Sequence, residues 1–116
     1  MDRIHYAGDS ILTGTDIARA LLSYAEALAK SGTSATVDIP VRLADGTLSS
    51  SRILIGPASQ VVSDTESDDT DEIVDQELVA SFERETLRLK QNQQHRIGRE
   101  LGPDETDDLS AAIDDY

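Results

Sequence analysis

The sequence predicts a small α+β domain in which one helix packs on one face of a three- to four-stranded sheet. Three observations predict it: an amphipathic stretch over residues 15–31, strictly alternating apolar residues after it, and an abrupt excess of acids beyond Ser63. An acidic linker, a C-terminal helix and a disordered acidic tail follow the domain. The boundaries we predict are 1–63 for the compact α+β domain, 64–69 for the linker, 70–97 for the amphipathic helix and 98–116 for the tail.

Residues 15–31 have the clearest helical pattern in the chain. Apolar residues recur there at intervals of three, four and seven, which places them on one helix face. Thr13 or Thr15 can cap the N-terminus, Asp16 complements the helix dipole, and Gly32 ends the helix. The residues of the apolar face are Ile17, Leu21, Tyr24, Ala25 and Leu28.

The residues before this helix predict a first strand over 3–6. Gly8-Asp9 then offers a two-residue turn into a second short strand over 10–13, which would make a small hairpin.

After the helix, apolar and polar residues alternate, with Val37, Ile39, Val41 and Leu43 on one face. A three-residue loop over 44–46 would place Gly46 in the left-handed conformation and pair Leu43 with Thr47, Val37 with Ile53 and Ala35 with Ile55. A two-residue loop would instead place Arg52 on the apolar face, so the pattern favours the longer loop. Pro40 predicts an unpaired edge or a local irregularity in this strand, and residues 60–62 a short extension of the next strand.

The C-terminal half differs in composition. Residues 63–72 contain six acids and no apolar side chain, as expected of a solvated linker. The helix predicted over 70–97 has only a narrow apolar stripe, which is marginal by itself and requires a surface on the N-terminal domain, a second copy or another protein. We predict partner contact through that stripe, which consists of Val74, Leu78, Phe82 and Leu89.

The last segment, 98–116, repeats this combination of acidity and sparse apolar residues. Leu109, Ile113 and Tyr116 follow one another at helical spacings of four and three among the six acids of residues 103–116. We predict these three as additional contacts of the tail with a partner.

The amino-acid composition limits which classes of partner we expect. The net charge of −13 opposes direct binding to nucleic acid or to anionic lipid, because both require clustered Lys and Arg. The sequence has no leader-like pattern and no apolar run near 18 residues, so we expect neither export nor membrane insertion. Because the chain also has no cysteine, we expect a cytoplasmic protein.

No motif in the sequence predicts catalysis, a metal ion or a cofactor. His5 and His95 are 90 positions apart, and the serine that follows Gly56-Pro57 lacks the glycine of a nucleophile elbow. Acids at 64, 66, 68 and 75 match part of a calcium-loop frame, but its central glycine is absent. The basic cluster over 84–99 is interleaved with glutamates and has no aromatic residue for stacking on bases.

These observations favour a non-enzymatic interaction or assembly module of bacterial or phage type, whose C-terminal helix and acidic tail bind a protein partner or a second copy. The N-terminal half can bury its own apolar face, whereas the C-terminal half has apolar stripes that need a partner surface. The alternative is an acidic decoy that occupies the basic groove of a nucleic-acid-binding protein.

Overall fold

The computed structural model describes residues 1–67 and 70–100, with the backbone alone for 94–100. It is an α+β fold, as predicted, but its sheet has five strands where three to four were predicted. The five strands form one antiparallel sheet in the order β4-β3-β2-β1-β5. In chain order the elements are β1 (Asp2–Tyr6), β2 (Asp9–Thr13), α1 (Thr15–Ser31), β3 (Ala35–Arg42), β4 (Leu48–Ile55), β5 (Val61–Thr65) and α2 (Gln76–Glu100).

The β1–β2 hairpin turns one residue earlier than predicted. Its two turn residues are Ala7 and Gly8, with φ values of 52° and 79°, so the turn at Gly8-Asp9 was wrong. Two successive positive φ angles match the twist of a tight hairpin. The earlier turn places Ile4 opposite Ile11, whereas the predicted turn would place Ile4 opposite Thr13. Apolar pairing across the strands therefore decides the register.

The β3–β4 hairpin has the predicted register. Val37 lies opposite Ile53 and Ala35 opposite Ile55, while Gly46 has a φ of 88°. The Leu43 amide donates to the Thr47 carbonyl at 2.9 Å, which closes the three-residue loop. Leu43 itself was wrongly predicted to join the core: it is 47% exposed, because it lies beyond the end of β3.

Pro40 lies where β3 is poorly paired with β2, as its missing N–H predicts, although β3 pairs with β4 along its whole length. A single residue pair, Leu12 and Arg42, registers β2 against β3. Beside it, the Thr13 hydroxyl donates to the Pro40 carbonyl at 2.7 Å. The sheet therefore opens at this point, and a side-chain hydrogen bond takes the place of the next backbone ladder bond.

Residues 61–65 form a fifth strand and do not extend β4. A turn closed by the Ser59 amide and the Gly56 carbonyl at 3.0 Å redirects the chain after β4. β5 then pairs with β1 at the opposite edge of the sheet, Val61 facing Tyr6. Ordered structure thus continues to Thr65, into the segment predicted as linker.

Helix α1 has the predicted bounds and covers one face of the sheet. Gly32 adopts the left-handed conformation with a φ of 67° and ends the helix, as predicted. The expected caps Thr13 and Thr15 were wrong: the N-cap residue is Gly14, and the Thr15 hydroxyl donates to Asp2. The large apolar side chains that are fully buried between α1 and the sheet are Ile4, Ile17, Leu21, Ile39, Val41 and Ile55.

Helix α2 begins at Gln76, six residues later than predicted. Asp75 caps it by accepting a hydrogen bond from the Leu78 amide at 3.0 Å. The preceding residues lack helical structure because Ile73 enters the core, where it is 8% exposed. The α2 backbone is helical to Glu100, beyond the predicted end at 97. The predicted tail contacts Leu109, Ile113 and Tyr116 lie outside the described residues.

Candidate functional site: the groove between the two helices

Helix α2 docks on α1 and buries half of the predicted partner stripe within the chain. Phe82 is 4% exposed and Leu89 7%, and the Phe82 ring stacks on Tyr24 with 5.6 Å between ring centroids. Leu78 is half-buried, whereas Val74 is 67% exposed before the helix begins. The four residues therefore do not share one exposed surface, and their role in binding a partner stays a prediction.

A groove of about 620 Å³ runs along the open side of this helix pair. Both helices contribute to it, and Tyr24 and Phe82, which form the helix contact, are not among its lining residues. Its floor includes Ala20, Val79 and the buried Thr86. The complete lining is Asp16, Arg19, Ala20 and Ser23 from α1 and Val79, Glu83, Thr86, Leu87 and Lys90 from α2.

A second stripe on α2 faces this groove and was missed from the sequence. Val79, Glu83, Leu87 and Lys90 follow one another at intervals of four, four and three, so they share one helix face. Leu87 is 57% exposed although it is a large apolar side chain. Because Glu83 and Lys90 are charged, the stripe does not show the apolar periodicity by which a helix face is recognised in a sequence. Its only sequence signal is Leu87, which lies off the Phe82–Leu89 face.

The four charged residues on the groove rim have no ion-pair partners among the described residues. Asp16, Arg19, Glu83 and Lys90 form no salt bridge there, whereas Arg88 pairs with Glu85 at 2.7 Å. Two acids and two bases make the rim electrically neutral on a chain of net charge −13. The groove therefore suits a partner that carries both signs of charge around an apolar contact.

Tyr24 is buried where α2 packs on α1. It is 8% exposed beneath Phe82, and this burial raises the pKa of its hydroxyl above 10.0, with Glu85 adding to the effect. The neutral phenol is thus the form that the helix contact stabilises.

The segment before α2 ties the acidic region to the domain. Arg3 Nε donates to Glu66 at 2.6 Å, and the Thr15 amide at the start of α1 donates to Glu72 at 2.6 Å. Glu72 also accepts from the Met1 ammonium, and these hydrogen bonds, that from Met1 first, lower the pKa of its carboxyl. A Cβ on Gly14 would lie 1.8 Å from the Ile73 carbonyl oxygen, so the segment lies directly against the start of α1.

The other candidate groups found in the sequence do not assemble into a site. His5 Nε2 lies 3.2 Å from Asp64, but both side chains are about half exposed or more. Ser10, opposite His5 in the hairpin, accepts a hydrogen bond from Arg3 and not from His5. Over residues 1–67 and 70–93, no three His, Asp or Glu side chains converge as metal ligands would. Asp68 of the calcium-loop frame lies outside the described residues.

Comparison with known proteins adds no relative. No family model, no curated protein and no solved structure matches this chain. In the described part of the chain, neither helix is both long and apolar enough to cross a membrane.

Proposed function

We propose that this protein is a non-enzymatic, cytoplasmic interaction module that receives a helix of another polypeptide in the groove between α1 and α2. The observation that carries the proposal is the α2 stripe Val79, Glu83, Leu87 and Lys90, which lines an open groove beside a helix contact that is already complete. Helix-in-groove recognition uses anchors at such spacings.

The groove also supplies the two features that a weak protein interface needs. Ala20 and Ser23 are small and let a partner helix approach α1 closely, while Leu87 offers an apolar anchor. Charged residues surround this centre, as they do at the rim of non-obligate interfaces.

The acidic-decoy alternative has less support. Residues 64–77 carry eight acids, but within this stretch Asp64, Glu66 and Glu72 already pair with groups of the domain and Asp75 caps α2. Carboxylates held in this way are less available to a basic groove.

Site-specific photo-crosslinking in cells tests the proposal. A photoreactive amino acid at Ser23, in the groove, should give one discrete adduct with another polypeptide. The same amino acid at Ser50, which is also exposed and lies on β4, is the matched control and should not give that adduct. Adding Leu87→Glu to the Ser23 variant should abolish the adduct.

Equal adducts from both positions, or an adduct that Leu87→Glu leaves unchanged, would contradict a groove-specific interaction. The mass of the adduct also identifies the partner, which separates this proposal from the narrower one below.

A further inference from the structure

We propose that the helix in the groove is α2 of a second copy, which packs antiparallel to the first across a two-fold axis near Leu87. This inference rests on the proposed function and names its partner. It follows from the order of charges along the α2 stripe, which is complementary to itself only when reversed.

The stripe is arranged with an acid before Leu87 and a base after it. Glu83 lies four residues before Leu87 and Lys90 three residues after it. An antiparallel copy related by a two-fold axis between Thr86 and Leu87 brings Glu83 beside Lys90 of the second copy and Lys90 beside Glu83 of the second copy. The two Leu87 side chains meet close to the axis, between these two ion pairs, which are equivalent because the axis is two-fold.

A parallel arrangement fails on the same residues. It would place Glu83 beside Glu83 and Lys90 beside Lys90, and like charges at neighbouring positions destabilise helix contacts. The direction of the second helix is therefore set by charge, and the apolar Leu87 contact then supplies affinity.

Neither the Glu83 carboxylate nor the Lys90 ammonium is engaged in an ion pair with a described residue of its own copy. Glu83 and Lys90 are both exposed and form no ion pair with any residue in the described ranges 1–67 and 70–93. They are seven positions, or about 10 Å, apart along their own helix, which is too far for a direct ion pair. The neutral groove rim also brings two strongly acidic copies together where no net negative charge opposes contact.

The interface is small, with one leucine from each copy and two ion pairs in the whole dimer, so association should be weak and reversible. We expect a dimer that forms at roughly micromolar to millimolar concentration, as do small transient interfaces. Association should be measured on the full chain by sedimentation equilibrium over that range.

Two charge reversals test the pairing. In Glu83→Lys, positions 83 and 90 both carry a lysine, and in Lys90→Glu both carry a glutamate, so each variant alone should associate about tenfold more weakly than wild type. An equimolar mixture should recover association as a heterodimer, because both inter-copy pairs then join opposite charges. Asp38→Lys changes the net charge as Glu83→Lys does, but lies on β3 in an exposed ion pair with Arg52 and should not weaken association.

Leucine variants locate the interface independently. Leu87→Glu should abolish association with the thermal midpoint of unfolding unchanged, since the side chain is exposed. Leu48→Glu, at a 62% exposed leucine on edge strand β4, should not weaken it. If Leu48→Glu is the disruptive change, or if the mixed charge variants fail to recover association, the proposal is wrong.

Two outcomes separate this inference from the proposed function. A wild-type chain that stays monomeric at millimolar concentration, together with a Ser23 adduct to a different polypeptide, overturns the second copy and leaves the interaction module standing. A monomeric chain without any Ser23 adduct overturns both.

Discussion

The docking of α2 on α1 can be tested with two leucines only two positions apart. Leu89 is 7% exposed in the helix contact, whereas Leu87 is 57% exposed at the groove. Substituting each with alanine removes the same atoms from the same helix and changes helix propensity equally. Any difference between the two variants therefore measures burial against α1.

The exposures give the expected magnitudes. Truncating a buried leucine to alanine costs about 2–5 kcal/mol, and for Leu89 we expect about 3 kcal/mol. The Leu87→Ala change should stay below about 0.5 kcal/mol, as exposed substitutions usually do. Since a domain of this kind has a free energy of unfolding of about 5–15 kcal/mol, the Leu89 variant loses a large fraction of it.

Urea denaturation followed by far-ultraviolet circular dichroism measures both variants. Leu89→Ala should shift the midpoint to clearly lower urea, while Leu87→Ala should superimpose on wild type at a concentration where the chain is monomeric. A reduced urea dependence in Leu89→Ala would further indicate that α2 has already separated from α1. Equal midpoints for the two variants, or a larger loss for Leu87→Ala, would refute the observed helix contact.

Three further changes test the turns and the helix contact. Gly14→Ala should destabilise by about 1–3 kcal/mol, because its Cβ would meet the Ile73 carbonyl although its φ of −67° suits alanine; a thermal midpoint equal to wild type would contradict the close approach. Ala7→Asn should raise the free energy of unfolding by roughly 1 kcal/mol, since asparagine tolerates the positive φ that Ala7 adopts; a neutral result in urea titration would argue against this turn. Because burial raises the pKa of Tyr24, the stabilising contribution of the neutral phenol is complete below pH 10 and is lost as the pH rises through the folded-state pKa. The Tyr24→Phe variant should therefore lose less stability than wild type above pH 10. Parallel profiles of stability against pH would contradict the burial of Tyr24.

The sequence predicted elements whose local pattern and long-range packing agree. The register of β3–β4 follows from burying Ile53 and Ile55 together, and only one loop length allows it. The extent of α1 follows from one apolar stripe and a terminal glycine. In both cases the residues that determine the element lie within it or in its immediate neighbour.

Features set by distant residues escaped prediction. The predicted helical start at residue 70 was wrong because Ile73 packs in the core. The position of β5 depends on its pairing with β1, which is nearly 60 positions away in the sequence. No local pattern shows either contact. Glu72, read as part of a solvated linker, instead accepts the first amide of α1.

The candidate site illustrates the same difference. Phe82 and Leu89 were correctly seen to need a surface, but only the fold shows that α1 supplies it. Once that face is occupied, Leu87 and its charged neighbours become the groove, a role that apolar periodicity cannot reveal.

Disulfide trapping at position 87 tests the antiparallel pairing most directly. The natural chain has no cysteine, so a single Leu87→Cys variant carries one thiol without any background reaction. Two such thiols meet near the proposed two-fold axis, and mild oxidation should give a disulfide-linked dimer at a protein concentration where Leu48→Cys stays largely monomeric on a non-reducing gel. Equal dimer yields from the two positions, or none from position 87, would contradict the account.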